Sequence, residues 1–229
     1  MSTLHYIYDP LCGWCYGAAP LVAAAREIIA VQAHGGGMMT GANRQQVTPQ
    51  LRAYVKQHDA RIAQLTGQPF GPAYADGLLH ASGVVLDSEP PTAAILAAEA
   101  ITRRGLDMLA QLQIAHYVEG RRIAEPATLS EVAAELGLDA ETFAAAFAQQ
   151  SGAAVQRHIE ETRHLMKEVG ARGFPSFVLE TDGVWQGVDI GSYLGQPQVF
   201  QDWLRGQVWE PEGGSAGDAP VSDIHGCAI

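Results

Sequence analysis

Asp9-Pro10-Leu11-Cys12-Gly13-Trp14-Cys15-Tyr16-Gly17 is the stretch on which the reading of this chain turns. A β-prone run, Leu4 to Tyr8, comes directly before it, and an alanine-rich helical pattern, Ala18 to Ala30, directly after. That order places Cys12 at a helix N-terminus and Cys15 one turn in. Unpaired backbone N–H groups and the positive end of the helix dipole favour an anion there. A thiolate is such an anion, and it is the nucleophile of thiol–disulfide exchange. A Cys-x-x-Cys where a strand feeds a helix therefore points to redox chemistry. The competing reading is half of a structural zinc site, which needs two more ligands. The remaining cysteine, Cys227, and His225 just before it would have to supply them. Their H-x-C spacing is poor.

Composition narrows the classes. At 229 residues the chain can bury a good core, as one domain with an insertion or as two small ones. With 47% hydrophobic and 17% charged residues it is globular in type. A net charge of -11 argues against a nucleic-acid surface. No apolar run approaches the ~20 residues a membrane span requires. The opening Met1-Ser2-Thr3-Leu4-His5 lacks a basic region followed by an apolar stretch, so no secretory signal is expected. The expected compartment is the reducing cytoplasm, where a cysteine pair serves catalysis rather than stapling. The ending Cys227-Ala228-Ile229 is one residue short of a prenylation box, so no lipid anchor is read.

Outward from the cysteines, Val31 to Met39 reads as a second strand ending in Gly35-Gly36-Gly37. No Gly-Lys-Ser/Thr follows those glycines, so they mark a strand end with close backbone packing rather than a phosphate loop. From about Asn43 to Val169 the pattern is helical. Thr48-Pro49 opens one helix, Pro90-Pro91-Thr92 a second, and Gly105 precedes a third. A short helix ends at Leu136 with Gly137 as its C-cap, Asp139 caps Ala140 to Gln149, and Ala153 to Val169 is the last of the series. Gly173-Phe174-Pro175 then leads into a strand, Ser176 to Glu180; Thr181-Asp182-Gly183 is a hairpin turn and Val184 to Ile190 the partner strand. Gly191-Ser192 is expected to cap a final helix through Leu204. The rest is rich in Pro, Gly and Ser and acidic, a flexible tail.

The order strand, Cys-x-x-Cys helix, strand, helical insert, Pro-strand, hairpin strand, helix resembles an α/β thioredoxin-like fold carrying the large helical insertion of the DsbA family. Asp9-Pro10-x-Cys12-x-Trp14-Cys15 is similar to the active-site opening of the cytoplasmic, FrnE-like branch. Gly173-Phe174-Pro175-Ser176-Phe177 is similar to the family's loop before the third strand, whose proline is cis. The resemblance covers residues 3 to 205. It implies a thioredoxin-like domain from residues 1–44 and 171–209, an inserted helical subdomain from 45–170 and a tail from 210–229. It also implies a thiol–disulfide oxidoreductase or isomerase in which Cys12 attacks a substrate disulfide and Cys15 resolves the intermediate. Pro175 faces Cys12 in that scheme, and Gly13, Trp14, Phe174 and Ser176 contact substrate. The partners implied are protein or peptide thiols and disulfides. No cofactor is implied, and glutathione enters only as a co-substrate. A monomer and a homodimer fit equally well.

One position departs from the family. Its buried carboxylate on the first strand, six residues before the first cysteine, is here Tyr6, a poor base near neutrality. Asp9 is the nearest acid and is expected on the loop, facing water or capping the helix. Two rival functions stay open. Kappa-class glutathione transferases share the insert topology, but they use a serine where this chain has Cys12; Asp189, Gly191 and Ser192 are candidate contacts for the γ-glutamyl group of glutathione as co-substrate. A non-catalytic chaperone or redox-sensing module would use the same groove. Cys227 is a spare thiol or a third redox partner. The other histidines show no metal-ligand spacing.

Overall fold

The computed structural model describes residues 2–208; Cys227, His225 and the expected tail lie outside the described residues. A four-stranded sheet has the order β2-β1-β5-β6, formed by β1 Ser2–Tyr8, β2 Ala30–Gly35, β5 Ser176–Thr181 and β6 Val184–Val188. β1 runs parallel to β2 and antiparallel to β5, and β5 is antiparallel to β6. β1 is central because both of its faces are covered. Leu4, Tyr6 and Tyr8 line one face, Ile7 and His5 the other, and all five are buried. The β5–β6 hairpin turns at Asp182 and Gly183, with φ of 51° and 82°. Positive φ at both central residues is the geometry that matches strand twist.

Between β2 and β5 the chain is mostly helical: α3 Pro49–Thr66, α4 Glu89–Thr102, α5 Gly105–Tyr117, α6 Pro126–Glu135, α7 Ala140–Gln150 and α8 Ala153–Glu168. The caps explain their bounds. Thr48 Oγ1 accepts the Leu51 N–H, and Asp139 Oδ1 accepts the Thr142 N–H. Gly67 and Gly137, at φ 73° and 76°, end α3 and the α6 segment in the left-handed conformation. A two-stranded ribbon, β3 Gln45–Gln46 with β4 Val85–Leu86, and short helical turns over Ala73–His80 were not legible in the sequence. Each is too short to show a periodicity.

Two expectations near the ends of the frame are corrected. The helix after the cysteines is not one piece. It is a five-residue α1, Gly13–Gly17, followed by α2, Ala19–Arg26, and Ala30 already belongs to β2. Pro20 has no N–H to offer the Tyr16 carbonyl, and the Gln68 side-chain amide donates to that carbonyl instead, at 3.0 Å. The final helix, α9, spans Pro197–Val208 and is not capped by Gly191-Ser192, which form a separate 3-10 turn. Gly195 at φ 77° breaks the chain between them, and Pro197 restarts it at a position suited to proline. α9 packs on α2, where Gln201 Nε2 donates to the Ala24 carbonyl, and its Phe200 and Leu204, one turn apart, are buried. Full burial of each is worth about 1.5–3 kcal/mol. The helical segment meets the sheet frame where α3 packs on α1 and α8 on β2.

Candidate active site

β1 delivers the chain to Asp9, and there the structure departs from expectation. Asp9 is fully buried and does not face water. Its Oδ1 accepts the Leu11 N–H (2.9 Å) and the Ser88 hydroxyl (2.9 Å), and its Oδ2 accepts the Met38 N–H (2.6 Å). Burial raises the Asp9 carboxyl above its usual range, while these donors and the Arg163 charge pull it back. The carboxylate thus ties the cysteine loop to the loop after β2 and to Ser88. Arg163 of α8 holds the same second loop by donating to the carbonyls of Gly36 (3.1 Å) and Gly37 (2.6 Å).

Cys12 is the residue before α1, and its Sγ accepts the Cys15 N–H at 3.3 Å. With α1 only five residues long, this single local donor, rather than a long helix dipole, addresses the sulfur. The Cys12 thiol donates to the Phe174 carbonyl at 3.5 Å, and the Phe174–Pro175 bond is cis. Cys15 lies behind, fully buried, and burial together with the Cys12 sulfur pushes its thiol up. Tyr6, in the position of the family's carboxylate, donates its hydroxyl to the Cys15 carbonyl at 3.2 Å. Burial raises its phenol further, so it stays protonated.

Gly36 decides where Phe174 sits: a Cβ there would lie 2.2 Å from Phe174 Cε1. The glycine run after β2 therefore provides close packing, as the sequence indicated, and what packs is the ring before Pro175. Gly13 and Gly17 play the matching part on α1. A Cβ at Gly13 would meet Ile62 Cδ1 at 3.0 Å, and one at Gly17 would meet Ile62 Cγ2 at 2.8 Å. Bare backbone on this face lets α3 lie against α1.

A cavity of about 770 Å³ opens beside Cys12. Cys12, Gly13, Trp14, Phe174, Pro175 and Ser176 all line it; Cys15 does not. Ser176 Oγ donates to the Gly173 carbonyl at 2.7 Å, which fixes the loop before β5. The Arg61 guanidinium lies 5.8 Å from the Trp14 ring centroid. The far wall comes from the helical segment and was not read from the sequence: Asp59, Tyr74, His116 and Tyr117. Tyr117 stacks on Tyr16 at 4.9 Å and contacts Tyr74 at 5.3 Å. Burial pushes His116 down to about 4, so it is neutral at pH 7. Asp59 receives the Tyr74 hydroxyl at 3.0 Å, yet burial outweighs that bond and raises its carboxyl to about 6. Asp189 accepts the Gly191 N–H in its own turn (2.9 Å), and neither residue, nor Ser192, lines the cavity. Among the described residues no three His, Cys, Asp or Glu side chains are grouped to hold a metal, and no helix is long and apolar enough to cross a membrane.

A Cys-x-x-Cys at the start of a helix, faced by a Pro loop and roofed by a helical insertion, defines a class. The model of the DsbA-like thioredoxin domain matches residues 3–192, and the chain belongs to that family. Among solved structures it is similar to the cytosolic disulfide reductase DsbM from Pseudomonas aeruginosa, with 58% identity and a TM-score of 0.85 over 90% of this chain and 98% of that one. The structure of DsbM with GSH aligns with 55% identity and a TM-score of 0.84, over the same shares of the two chains. A structure from Nitrosomonas europaea, provisionally named a protein disulfide isomerase, shares 25% identity at a TM-score of 0.73, covering 90% of this chain and 98% of that one. Among curated protein sequences no relative matches.

Proposed function

We propose that this chain is a cytoplasmic thiol–disulfide oxidoreductase that works as a reductase through Cys12 and Cys15, with glutathione as its reducing co-substrate. One observation carries the reading. Cys12 is the member of the pair that reaches the cavity, its sulfur held between the Cys15 N–H and the Phe174 carbonyl. Cys12 thiolate attacks a disulfide RS–SR′, forming Cys12–S–S–R and releasing R′S⁻, which takes up a proton. Cys15 then gives up its proton and attacks the Cys12 sulfur, closing the Cys12–Cys15 disulfide and releasing RS⁻. Two glutathione molecules return the pair to dithiol and leave as glutathione disulfide, so two electrons pass from glutathione to the substrate. A buried Cys15 thiol, held protonated by its surroundings, suits the resolving role and leaves Cys12 as the nucleophile.

The similarity to a disulfide reductase, and the glutathione in that protein's structure, support both the direction and the co-substrate. The transferase alternative has less behind it, because those enzymes use a serine where this chain has Cys12; the γ-glutamyl contacts expected at Asp189, Gly191 and Ser192 do not line the cavity. The test is the reduction potential of the pair, measured in glutathione buffers by Trp14 fluorescence on a Cys227→Ser background. A value of about -230 mV or higher, the glutaredoxin range, is one that glutathione can reduce and supports the reading, whereas one of about -270 mV, thioredoxin's, points to a stronger reductant than glutathione. A pair that never closes defeats the redox reading. Cys12→Ser should abolish disulfide reduction, whereas a chaperone-like module would keep its holdase activity.

A further inference from the structure

The polar groups of the cavity are unevenly charged. Asp59 is its buried anion, 8% exposed, on α3. One oxygen, Oδ2, is taken by the Tyr74 hydroxyl at 3.0 Å. The other, Oδ1, has no hydrogen-bond partner among the described residues and lies beside Gly13, 3.2 Å from where a Cβ would stand. Gly13 follows Cys12 in the chain, so this oxygen lies one residue along from the reacting cysteine. Arg172, an exposed residue next to Gly173 and Phe174 in the chain, also lines the cavity. Arg61, over the Trp14 ring, is not itself part of the lining. The remaining lining is dominated by apolar and aromatic side chains, and about 770 Å³ is the size of a small-molecule site rather than a protein–protein groove.

A buried anion and an exposed cation lining one cavity suit a small zwitterion. We propose that Asp59 is the specificity determinant of this cavity, its Oδ1 receiving the ammonium of a glutathione-type thiol while Arg172 meets a carboxylate of the same molecule. This inference rests on the glutathione reading above and names the residue that enforces it. Burial holds the Asp59 carboxyl at about 6, so it is an anion at neutral pH, when a γ-glutamyl ammonium is charged. Desolvation that disfavours a lone carboxylate turns into attraction once a cation arrives. Asp9, the other buried aspartate, cannot serve, because both of its oxygens already hold protein donors. Asp59 makes no bond to either cysteine, so its part is recognition.

The experiment compares glutathione with glutarylcysteinylglycine, which lacks only the ammonium, as reductants of the same disulfide substrate. A charged hydrogen bond predicts a kcat/KM ratio of about 10–100 in favour of glutathione for the wild type. The ratio collapses toward one in Asp59→Asn, mainly through KM, and Asp59→Glu, which keeps the charge, retains part of it. Equal kcat/KM values for the two thiols in the wild type overturn the inference while leaving the oxidoreductase reading intact, and this arm needs no variant to fold. Unchanged discrimination in Asp59→Asn overturns it too, by placing recognition elsewhere. A wild-type protein that accepts electrons from dithiothreitol but from neither tripeptide defeats the glutathione reading and this inference together.

Discussion

Replacing Asp59 by asparagine should stabilise the folded protein at pH 8 and leave it nearly unchanged at pH 4. Burial raises this carboxyl from 3.8 to about 6 despite the Tyr74 bond. The unfolded chain returns it to about 3.9. A folded value above the unfolded one means that the folded state holds the proton more tightly. The group's contribution to stability is therefore complete below about pH 4 and is lost as the pH rises through about 6. A gap of about two pH units, at about 1.4 kcal/mol each, amounts to about 3 kcal/mol lost by pH 8. Asparagine offers Tyr74 an acceptor without a charge and escapes that loss. For a chain of this length the gain corresponds to about 6–12 °C in Tm. Urea unfolding of both proteins from pH 4 to pH 8 gives two stability curves and their difference. Asp9 is also raised by burial and shifts in the same sense, but it is common to both proteins and drops out of the difference. Parallel curves would refute the reasoning, since they would mean that burying Asp59 carries no charge penalty.

Asp9→Ala acts the other way: it strands the Leu11 and Met38 N–H groups and the Ser88 hydroxyl. At about 1–3 kcal/mol for each unsatisfied donor, the denaturant midpoint at pH 7 should report a loss of about 3 kcal/mol or more. Gly36→Ala forces the Phe174 ring to yield by more than about 1 Å to reach ordinary contact, a cost of about 1–3 kcal/mol. It should also lower activity by moving the Phe174 carbonyl off Cys12, and wild-type stability with wild-type turnover would show that the ring swings aside freely. Cys15→Ala should halt the cycle at its mixed disulfide, seen by mass spectrometry as one glutathionyl group on Cys12 after treatment with glutathione disulfide; an unmodified Cys12 would place the nucleophile elsewhere.

The cysteine motif and Phe174-Pro175 were legible because their signals are local: a strand, a turn and a helix start within a dozen residues. Asp59 was not. Four residues after Val55 and three before Ile62, it falls on the apolar stripe of α3, but that spacing does not say what the stripe meets, and only the packing of that helix on Gly13 and Gly17 does. Tyr74 and Tyr117 reach the cavity by the same long-range route. Asp9 was misplaced because acidic loop residues usually meet water. A local cue existed in Asp9-Pro10-Leu11, where the aspartate accepts the N–H two residues on. Its other donors, Met38 and Ser88, come from 29 and 79 residues away, and no local pattern announces them. The split of the cysteine helix was implicit in Pro20, but a proline in a first turn fits one long helix and two short ones alike.

Gly13 has a wider consequence. In enzymes of this type the two residues between the cysteines are the natural place to adjust how strongly the pair oxidises. Here the first of them touches Ile62 and Asp59 across the α1–α3 contact. A larger residue at position 13 would bring a Cβ to 3.0 Å from Ile62 Cδ1 and 3.2 Å from Asp59 Oδ1, so these two side chains would have to give way. A change made at position 13 to adjust the redox pair is therefore felt by the carboxylate proposed to recognise the thiol substrate. A library randomised at positions 13 and 14 alone should return mostly glycine at 13. Adding position 62 to the library should release that constraint, with larger residues at 13 appearing alongside alanine or valine at 62.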